Sequence, residues 1–293
     1  MSKPKTTEST VPLVEKVAEL AMRLGRRHLA DYGATTSRHD FTQRQLMTCL
    51  ILRAYLKTTY RGVVDLLAAS PNLRERMGLT KKLPHFTALQ KFSARSQVLA
   101  IAQKIVAEIG QASAQQAEAP AAAMDSTGLT GSTASEYFHR RTGKPVRQWV
   151  KVSVVVLCGS LLPLGLVLDL GPSNDRIQVP ALLEQAQAVA RPVQRYADAG
   201  YDAEWIHQRC REQWGVESVI KPNGQRADGV RNGKWRAQMS DEHLKARGYG
   251  RRWSVESFFS GLKRTMGGAL AARCPQQMLA EAAFKVLAYT LRR

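Results

Sequence analysis

Cysteine is scarce in this sequence, and its few cysteines do not form a metal-binding pattern. The four are far apart in the chain: Cys49, Cys158, Cys210 and Cys274. None belongs to a C-x-x-C pair, and the six histidines, including His139 and His207, lack the spacing of metal ligands. A zinc site is therefore not expected. We expect reduced, partly buried thiols in a cytoplasmic protein.

Long hydrophobic runs are also lacking, apart from one stretch. Residues 152–168 form 17 positions without a charge, which is the lower limit for crossing a bilayer. The first half is β-branched (VSVVVL), Gly159 and Ser160 supply a turn, and Pro163 would break a helix. A buried hairpin is therefore predicted. The polar start MSKPKTTEST does not resemble a signal peptide, and the termini show no lipidation signal or basic amphipathic helix, so no membrane partner is expected.

Acidic side chains are too few to balance the basic ones. The chain has 43 Lys and Arg against 24 Asp and Glu, a net charge of +19. Residues 1–110 carry 18 basic and 8 acidic side chains, and residues 111–293 carry 25 and 16, so both parts are positive. Such a field attracts polyanions, because each phosphate that is neutralised releases condensed counterions. A nucleic acid is the partner that this charge favours.

Strand patterns are absent from residues 11–110, where apolar positions recur at helical spacing. The segments VPLVEKVAELAMRL and LMTCLILRAYL show this period. Residues 85–96, HFTALQKFSARS, form either a DNA recognition helix or an ordinary solvated helix. We predict an all-helical N-terminal DNA-binding domain at 1–110. A small polar segment, QASAQQAEAP, follows and is interpreted as a linker at 111–120 or a fraying helix end.

Residues 121–293 change to short apolar strands mixed with helices. Strands are predicted at 121–124, 148–157, 161–170, 191–197 and 216–221, and helices at about 178–190 and 203–214. A basic, glycine-rich insertion at about 222–247 then precedes two final helices. The order of three strands, helix, strand, helix, strand resembles the ribonuclease-H-like α/β fold, in which helices flank a mixed sheet. We predict one such catalytic domain over 121–293.

The segment YGRRWSVESFFSGLK combines four chemically active side chains at helical spacing. Tyr249, Arg252, Glu256 and Lys263 stand at offsets 0, 3, 7 and 14. On a single helix these positions fall within roughly a 60° arc, so one face would present an aromatic ring, two cations and a carboxylate. This composition indicates a functional face, because a core face would be apolar.

The spacing Y-x2-R-x3-E-x6-K resembles the signature of bacterial insertion-sequence transposases of the family 4 and 5 superfamily, which belong to the DDE class. Two further segments occur in the matching order: MDSTGL, with Asp125 closing the first strand, and YADAGYD, with Asp198 closing the fourth. The N-terminal segment TQRQLMTCLILRAYLKTTYRGVVDLL is also similar to such transposases. The resemblance covers most of residues 40–290.

The resemblance implies that Asp125, Asp198 and Glu256 are both the catalytic residues and the metal ligands. Three carboxylates packed together repel one another unless cations lie between them. Hard oxygen ligands suit Mg²⁺, which Mn²⁺ could replace, and two ions fit phosphoryl transfer. Among other acids, Asp202 is interpreted as a helix N-cap, and Asp169 is expected to point away from the metal cleft. A third, Asp175, is expected to start a helix.

The resemblance also implies a set of residues that contact DNA. Arg252 and Lys263 are expected to bind phosphates near the cleaved bond, and Tyr249 to place the terminal nucleotide. Four other residues are predicted to bind DNA on charge or ring chemistry: Arg251, Lys234, Arg236 and Trp235. Trp235 is either a base-stacking residue or a packing residue of the insertion.

The function implied is metal-dependent DNA recombination. The chain is expected to bind the terminal inverted repeats of an insertion sequence, cleave double-stranded DNA there and transfer the freed end to target DNA. A homodimer on paired DNA ends and a location in the cytoplasm at the nucleoid are expected. The alternatives are a DNA-binding protein derived from a transposase that no longer cuts, and a nuclease on the same fold.

Overall fold

The computed structural model describes residues 11–36, 38–131, 141, 149–171, 173–223 and 232–293. Its described residues before the sheet contain six helices: α1 Leu13–His28, α2 Gln43–Tyr55, α3 Tyr60–Ala68, α4 Pro71–Arg76, α5 Phe86–Ser93 and α6 Ser96–Ala114. α2 begins with a capping box, in which Thr42 and Gln45 each accept the other's backbone N–H. α6 continues to Ala114, so the first residues of the segment interpreted as a linker are helical.

A five-stranded mixed sheet follows. Its strands are β1 Ala121–Thr130, β2 Trp149–Leu157, β3 Pro163–Leu170, β4 Gln194–Ala197 and β5 Glu217–Ile220. The order across the sheet is β3-β2-β1-β4-β5. β2 is antiparallel to β1 and β3, whereas β4 is parallel to β1 and β5. The five strands, and the hairpin at residues 149–170, agree with the sequence prediction.

β1 is longer than its apolar run indicates. The predicted end of this strand at Asp125 is wrong, because β1 continues to Thr130. Residues 126–130 pair with β2 throughout, and Asp125 itself lies opposite Val154. Pairing with β2 satisfies the backbone groups of this largely polar half, and Leu129 is fully buried in the hydrophobic core.

Helices cover both faces of the sheet. They are α7 Asp175–Val189, α8 Glu204–Gln208, α9 Asp241–Ala246, α10 Trp253–Met266 and α11 Pro275–Arg292. α8 continues as a single π-helical turn over Arg209–Gln213. α7 and α8 pack on one face with Met124 and Ala197, whereas α10 and α11 pack on the other with Ala123 and Tyr196. The fold is thus a mixed sheet between helical layers, compatible with a ribonuclease-H-like domain.

The N-terminal helices share a hydrophobic core with the α10 face of the sheet. Leu52 of α2, Ile105 of α6, Val154 of β2 and Val286 of α11 belong to one continuous cluster and are almost completely buried. Full burial of each such side chain contributes roughly 1.5–3 kcal/mol. The stability of the N-terminal helices and that of the sheet are therefore coupled.

A buried ion pair joins α2 to α11 within this core. Arg53 donates to Glu281 at 3.5 Å, and both side chains are less than a tenth exposed. Glu281 also accepts the backbone N–H groups of Ala271 and Ala272 at 3.0 and 2.9 Å. A buried charge needs this degree of pairing, because removal from water is costly.

No described helix is long and apolar enough to cross a membrane. The uncharged stretch at 152–168 forms parts of β2 and β3, as predicted. All four cysteines are free thiols, and Cys49 and Cys210 are buried. The expectation of unpaired, partly buried thiols is therefore confirmed.

We predict that Glu281→Ala lowers the free energy of unfolding by about 3–5 kcal/mol, because Arg53 would stay buried without a counter-charge. Urea denaturation of the whole chain measures this loss. Glu75→Ala, at an exposed position of α4, is the control and should change stability by less than about 0.5 kcal/mol. Equal stability of the two variants would contradict the assigned role of the buried pair.

Candidate active site

Asp125 and Asp198 come from neighbouring parallel strands. β1 and β4 pair in register, and their last pair is Ala123 with Tyr196. Two further residues along each chain bring Asp125 beside Asp198, which keeps an extended backbone with φ −81° and ψ −177°. Because side chains alternate across a sheet, both carboxylates belong to the α10 face. Neighbouring strands lie roughly 4.8 Å apart, so the two side chains start close together.

Glu256 reaches the same face from α10. The apolar side of this helix is buried against the sheet through Val255, Phe258, Phe259, Leu262 and Met266. Glu256 lies in the first helical turn, and its side chain is 37% exposed. A carboxylate in the first turn is favoured by the positive end of the helix dipole. Packing of α10 thus holds Glu256 at the rim of the core.

Tyr249 lies beside the strand end that carries Asp198. Its hydroxyl donates a hydrogen bond to the carbonyl oxygen of Ala197 at 3.2 Å, directly before Asp198. The pKa of Tyr249 is raised to about 12: burial is the main cause, the Arg252 charge opposes it, and the charges of Asp198, Glu256 and Asp125 act with it. All three carboxylates therefore lie near enough to Tyr249 to act on its hydroxyl.

Arg252 supplies a positive charge beside Glu256. Its guanidinium donates to the Glu256 carboxylate, and the Arg252 side chain is only 16% exposed. Burial alone would lower the pKa of Arg252, but the hydrogen bond to Glu256 and the negative charges of Glu256 and Asp125 raise it. The cation thus offsets part of the repulsion among the carboxylates.

The prediction that Tyr249 to Lys263 lie on one helix is wrong in its first part. Tyr249–Arg252 form a 3-10 turn, and the α-helix begins at Trp253. Gly248 enters this turn with φ 67°, a conformation that glycine adopts without strain. The turn directs Tyr249 inwards to β4, whereas Lys263 stays exposed in the last turn of α10.

The carboxylates offer hard oxygen donors, which divalent cations such as Mg²⁺ prefer. Within the described ranges, no three Asp, Glu, His or Cys side chains are close enough to hold one ion as they stand. Asp125, Asp198 and Glu256 nevertheless supply oxygen ligands from three adjacent elements, and Arg252 already stabilises Glu256 with a positive charge. This donor set fits Mg²⁺ or Mn²⁺ better than zinc, which favours Cys and His.

Asp169 and Asp202, the other acids considered, lie outside this group. Asp169 faces the opposite side of the sheet, where it accepts from Gln178 of α7 at 3.0 Å. Asp202 is not a helix N-cap, so that interpretation is wrong. Its carboxylate accepts from Arg236 at 2.6 and 2.7 Å and from the Asn223 N–H at 2.8 Å. Asp175 begins α7, as expected.

The Asp202 pair fixes part of the insertion beside α8. Burial alone would raise the pKa of Asp202, but Arg236 and the Asn223 N–H hold it below its ordinary value. Trp235 donates its indole N–H to Glu212 at 2.8 Å. Arg211 and Lys234 lie over its ring at 4.8 and 4.3 Å from the centroid. In the described residues, these contacts connect Trp235 and Arg236 to α8 and the π-helical turn.

Arg251 has a different environment from the other predicted DNA-binding residues. It is exposed in the 3-10 turn, and its carbonyl oxygen accepts from the Cys158 thiol at 3.6 Å. DNA contacts by Arg251, Lys234, Arg236 and Trp235 stay predictions.

A buried histidine lies near Asp202; its sequence spacing is not that of a metal ligand. His207 is fully buried and lies 2.8 Å from the Ser218 hydroxyl oxygen, which also accepts from Arg211 at 3.0 Å. Burial, together with the nearby Arg211 charge, lowers the pKa of His207 to about 4. His207 is therefore a neutral core residue at neutral pH.

We predict that acidification destabilises the fold through His207. The unfolded chain binds the proton near pH 6.5 but the folded chain only near pH 4, so stability is lost as pH falls through this window. The expected slope is about 1.4 kcal/mol per pH unit between these values. Urea denaturation of wild type and His207→Gln measures it. The variant should lack this contribution, and identical slopes would contradict the prediction.

A family model described as Transposase DDE domain matches residues 116–291, more than half of the chain. The matched segment contains the whole sheet and Asp125, Asp198 and Glu256. No curated protein matches the sequence.

Proposed function

The chain belongs to the transposase DDE domain family, and we propose that it is the transposase of an insertion sequence. It binds the terminal inverted repeats of the element, cleaves the DNA at the ends and transfers the freed 3′-hydroxyl to target DNA. The observation that carries this proposal is the placement of Asp125, Asp198 and Glu256 on the α10 face of the sheet, from two paired parallel strands and the helix packed on them. Placement in the family 4 and 5 superfamily rests on the Tyr249, Arg252, Glu256 and Lys263 spacing.

Asp125, Asp198 and Glu256 would hold two Mg²⁺ ions, with Mn²⁺ as a substitute. When bound, the ions would activate the attacking oxygen and stabilise the leaving oxygen. In hydrolysis, a water oxygen bonds to phosphorus as the bond to the 3′-oxygen breaks, and a proton passes to that oxygen. The carboxylates also orient the phosphodiester relative to the nucleophile. Arg252 balances the charge of Glu256 while the site holds no cation.

The surrounding side chains position the DNA. We propose that Lys263 binds a phosphate of the end, since its exposed amine lies two helical turns beyond Glu256 on α10. Arg252 approaches the same strand from the 3-10 turn, and Tyr249 limits the depth to which the terminal nucleotide enters. Further basic contacts are proposed for the exposed Arg251 and Lys234. Arg236 and Trp235 would support them from the insertion.

The remaining parts of the proposal concern recognition and assembly. We assign end recognition to the N-terminal helices of residues 1–110, and catalysis to residues 121–293 with the insertion at about 222–247. The net charge of +19 supports binding to DNA throughout the chain. A homodimer would pair two DNA ends in one complex. The protein would act in the cytoplasm, at the nucleoid.

We predict that Asp125→Ala, Asp198→Ala and Glu256→Ala each reduce cleavage and strand joining by about 10³-fold or more, because each removes a cation ligand. The assay uses the element's own end sequences with Mg²⁺. Binding to the same DNA should persist, since phosphate contacts come from other residues.

Asp169→Asn is the matched control, because this acid lies in the same sheet but faces α7. It should cleave at a rate close to that of wild type. Cleavage by Asp125→Ala, Asp198→Ala or Glu256→Ala at the control rate would remove that residue from the site. A wild type that binds the ends without cutting would support the non-cutting alternative.

We also predict that EDTA abolishes cleavage and that Mg²⁺ or Mn²⁺ restores it. The same cations should raise the melting temperature of wild type, because they relieve repulsion among the carboxylates and bind only the folded state. The Glu256→Ala variant should show a smaller rise. Undiminished cleavage in EDTA would refute a metal-dependent reaction.

A further inference from the structure

The turn after α10, residues 266–272, is held in place by α11. Lys285 donates to the carbonyl oxygens of Met266 and Gly267 at 2.6 and 3.1 Å, which satisfies the end of α10. Glu281, one helical turn earlier, accepts two N–H groups at the other end of the turn. Arg53 binds Glu281 from α2. The buried ion pair thus fixes this turn relative to the N-terminal helices.

β1 holds the same turn from another side. The Thr130 N–H donates to the carbonyl oxygen of Gly268 at 3.1 Å, and the carbonyl oxygen of Thr130 accepts from Leu270 at 2.7 Å. The turn therefore extends the sheet beyond the carboxylates of β1. Its position is set by the same strand that carries Asp125.

Two lysines from separate elements lie over the glycines of this turn. A Cβ atom at Gly267 would lie 3.8 Å from Cδ of Lys57, and one at Gly268 would lie 3.9 Å from Cγ of Lys263. Gly267 has φ 78°, a left-handed conformation. Absence of side chains at both positions leaves the lysine stems close to the backbone. Lys57 of the N-terminal region and Lys263 of the catalytic region therefore lie beside adjacent glycines of one turn.

Lys57 reaches this position because α2 ends in a left-handed turn. Its φ is 53°, the conformation that commonly terminates a helix. The N–H groups of Lys57 and Thr58 donate to the carbonyl oxygens of Ala54 and Arg53 at 3.2 and 3.1 Å. Lys57 directly follows the C-cap of α2 and is exposed.

The charges around the turn are not balanced. Lys57 and Lys263 form no ion pair with a side chain in the described ranges of the chain, and Glu281 is already occupied by Arg53 and backbone N–H groups. Burial lowers the pKa of Lys285; the Glu281 charge opposes this change, and the positive charges of Arg53 and Lys57 act with it. Like charges held together in this way favour an anion between them.

We propose that the Gly267–Gly268 turn, with Lys57 and Lys263 beside it, binds a backbone phosphate of DNA, and that Lys57 is a DNA-binding residue. The inference rests on the proposed function and extends the DNA path from the catalytic helix to the N-terminal helices. Seven residues of α10 separate Glu256 from Lys263, or about 10 Å along the axis. For a duplex along α10, this is about three base steps at roughly 3.4 Å each.

The test measures the salt dependence of DNA binding by the full chain. The probe is a labelled duplex of about 30 base pairs with arbitrary sequence, titrated at salt concentrations from about 50 to about 200 mM. Lys57→Gly removes the amine, and glycine accepts the backbone conformation at this position. The slope of log affinity against log salt should fall by about 0.9, with up to about tenfold weaker binding near 0.1 M salt. Lys57→Arg, which retains the charge, should keep most of the slope.

The control is Lys104→Ala, at an exposed position of α6 away from the turn in sequence. It should leave the slope unchanged, and an equal loss there would overturn the inference as a general effect of charge. Should Lys57→Gly fail to fold, Lys57→Asn replaces it, because asparagine tolerates the left-handed region.

Failure of the Lys57 inference and failure of the proposed function give different results in this test. A normal slope for Lys57→Gly, together with a reduced slope for Lys263→Ala, would overturn the role of Lys57 and leave the proposed function intact. Absence of any duplex binding by wild type would refute both proposals.

Discussion

The negative charge that Asp125, Asp198 and Glu256 place on one face of the sheet is the constraint around which this part of the molecule is arranged. Parallel strands place the two aspartates side by side, and α10 brings the glutamate to the same face. Arg252 binds Glu256 and so offsets part of this charge, and the raised pKa of the half-buried Tyr249 keeps its hydroxyl protonated. Arg252 therefore neutralises negative charge, and Tyr249 adds none.

Burial of α10 and α11 connects this charged group to the N-terminal helices. The hydrophobic cluster that contains Val255 and Phe258 of α10 also contains Leu52 of α2, so one core supports both regions. The buried Arg53 and Glu281 pair adds a specific geometric link. Relative movement of the two regions would disrupt apolar packing and a desolvated ion pair together, which favours one rigid unit.

The sequence predicts the order of strands and helices along the chain because β2 and β3 are long and apolar, and because Asp125 and Asp198 each follow an apolar run. It does not predict the full length of β1, since residues 126–128 carry no apolar side chain and are retained by pairing with β2. The sequence predicts that Tyr249 lies near Glu256. It places both residues on one continuous helix, whereas Tyr249 belongs to a 3-10 turn. Asp202 pairs with Arg236, which lies 34 residues further along the chain, so no local sequence pattern predicts this contact.

The short length of β4 has a consequence for how this protein can change over time. Four residues in register with β1 and β5 determine the side of the sheet on which Asp198 emerges. Gain or loss of one residue between Gln194 and Asp198 would turn that carboxylate to the α7 face, where Asp169 lies. Two residues could be added without this reversal. Insertions and deletions in this strand are therefore restricted to even numbers of residues. The loops before and after it can change length by any number of residues.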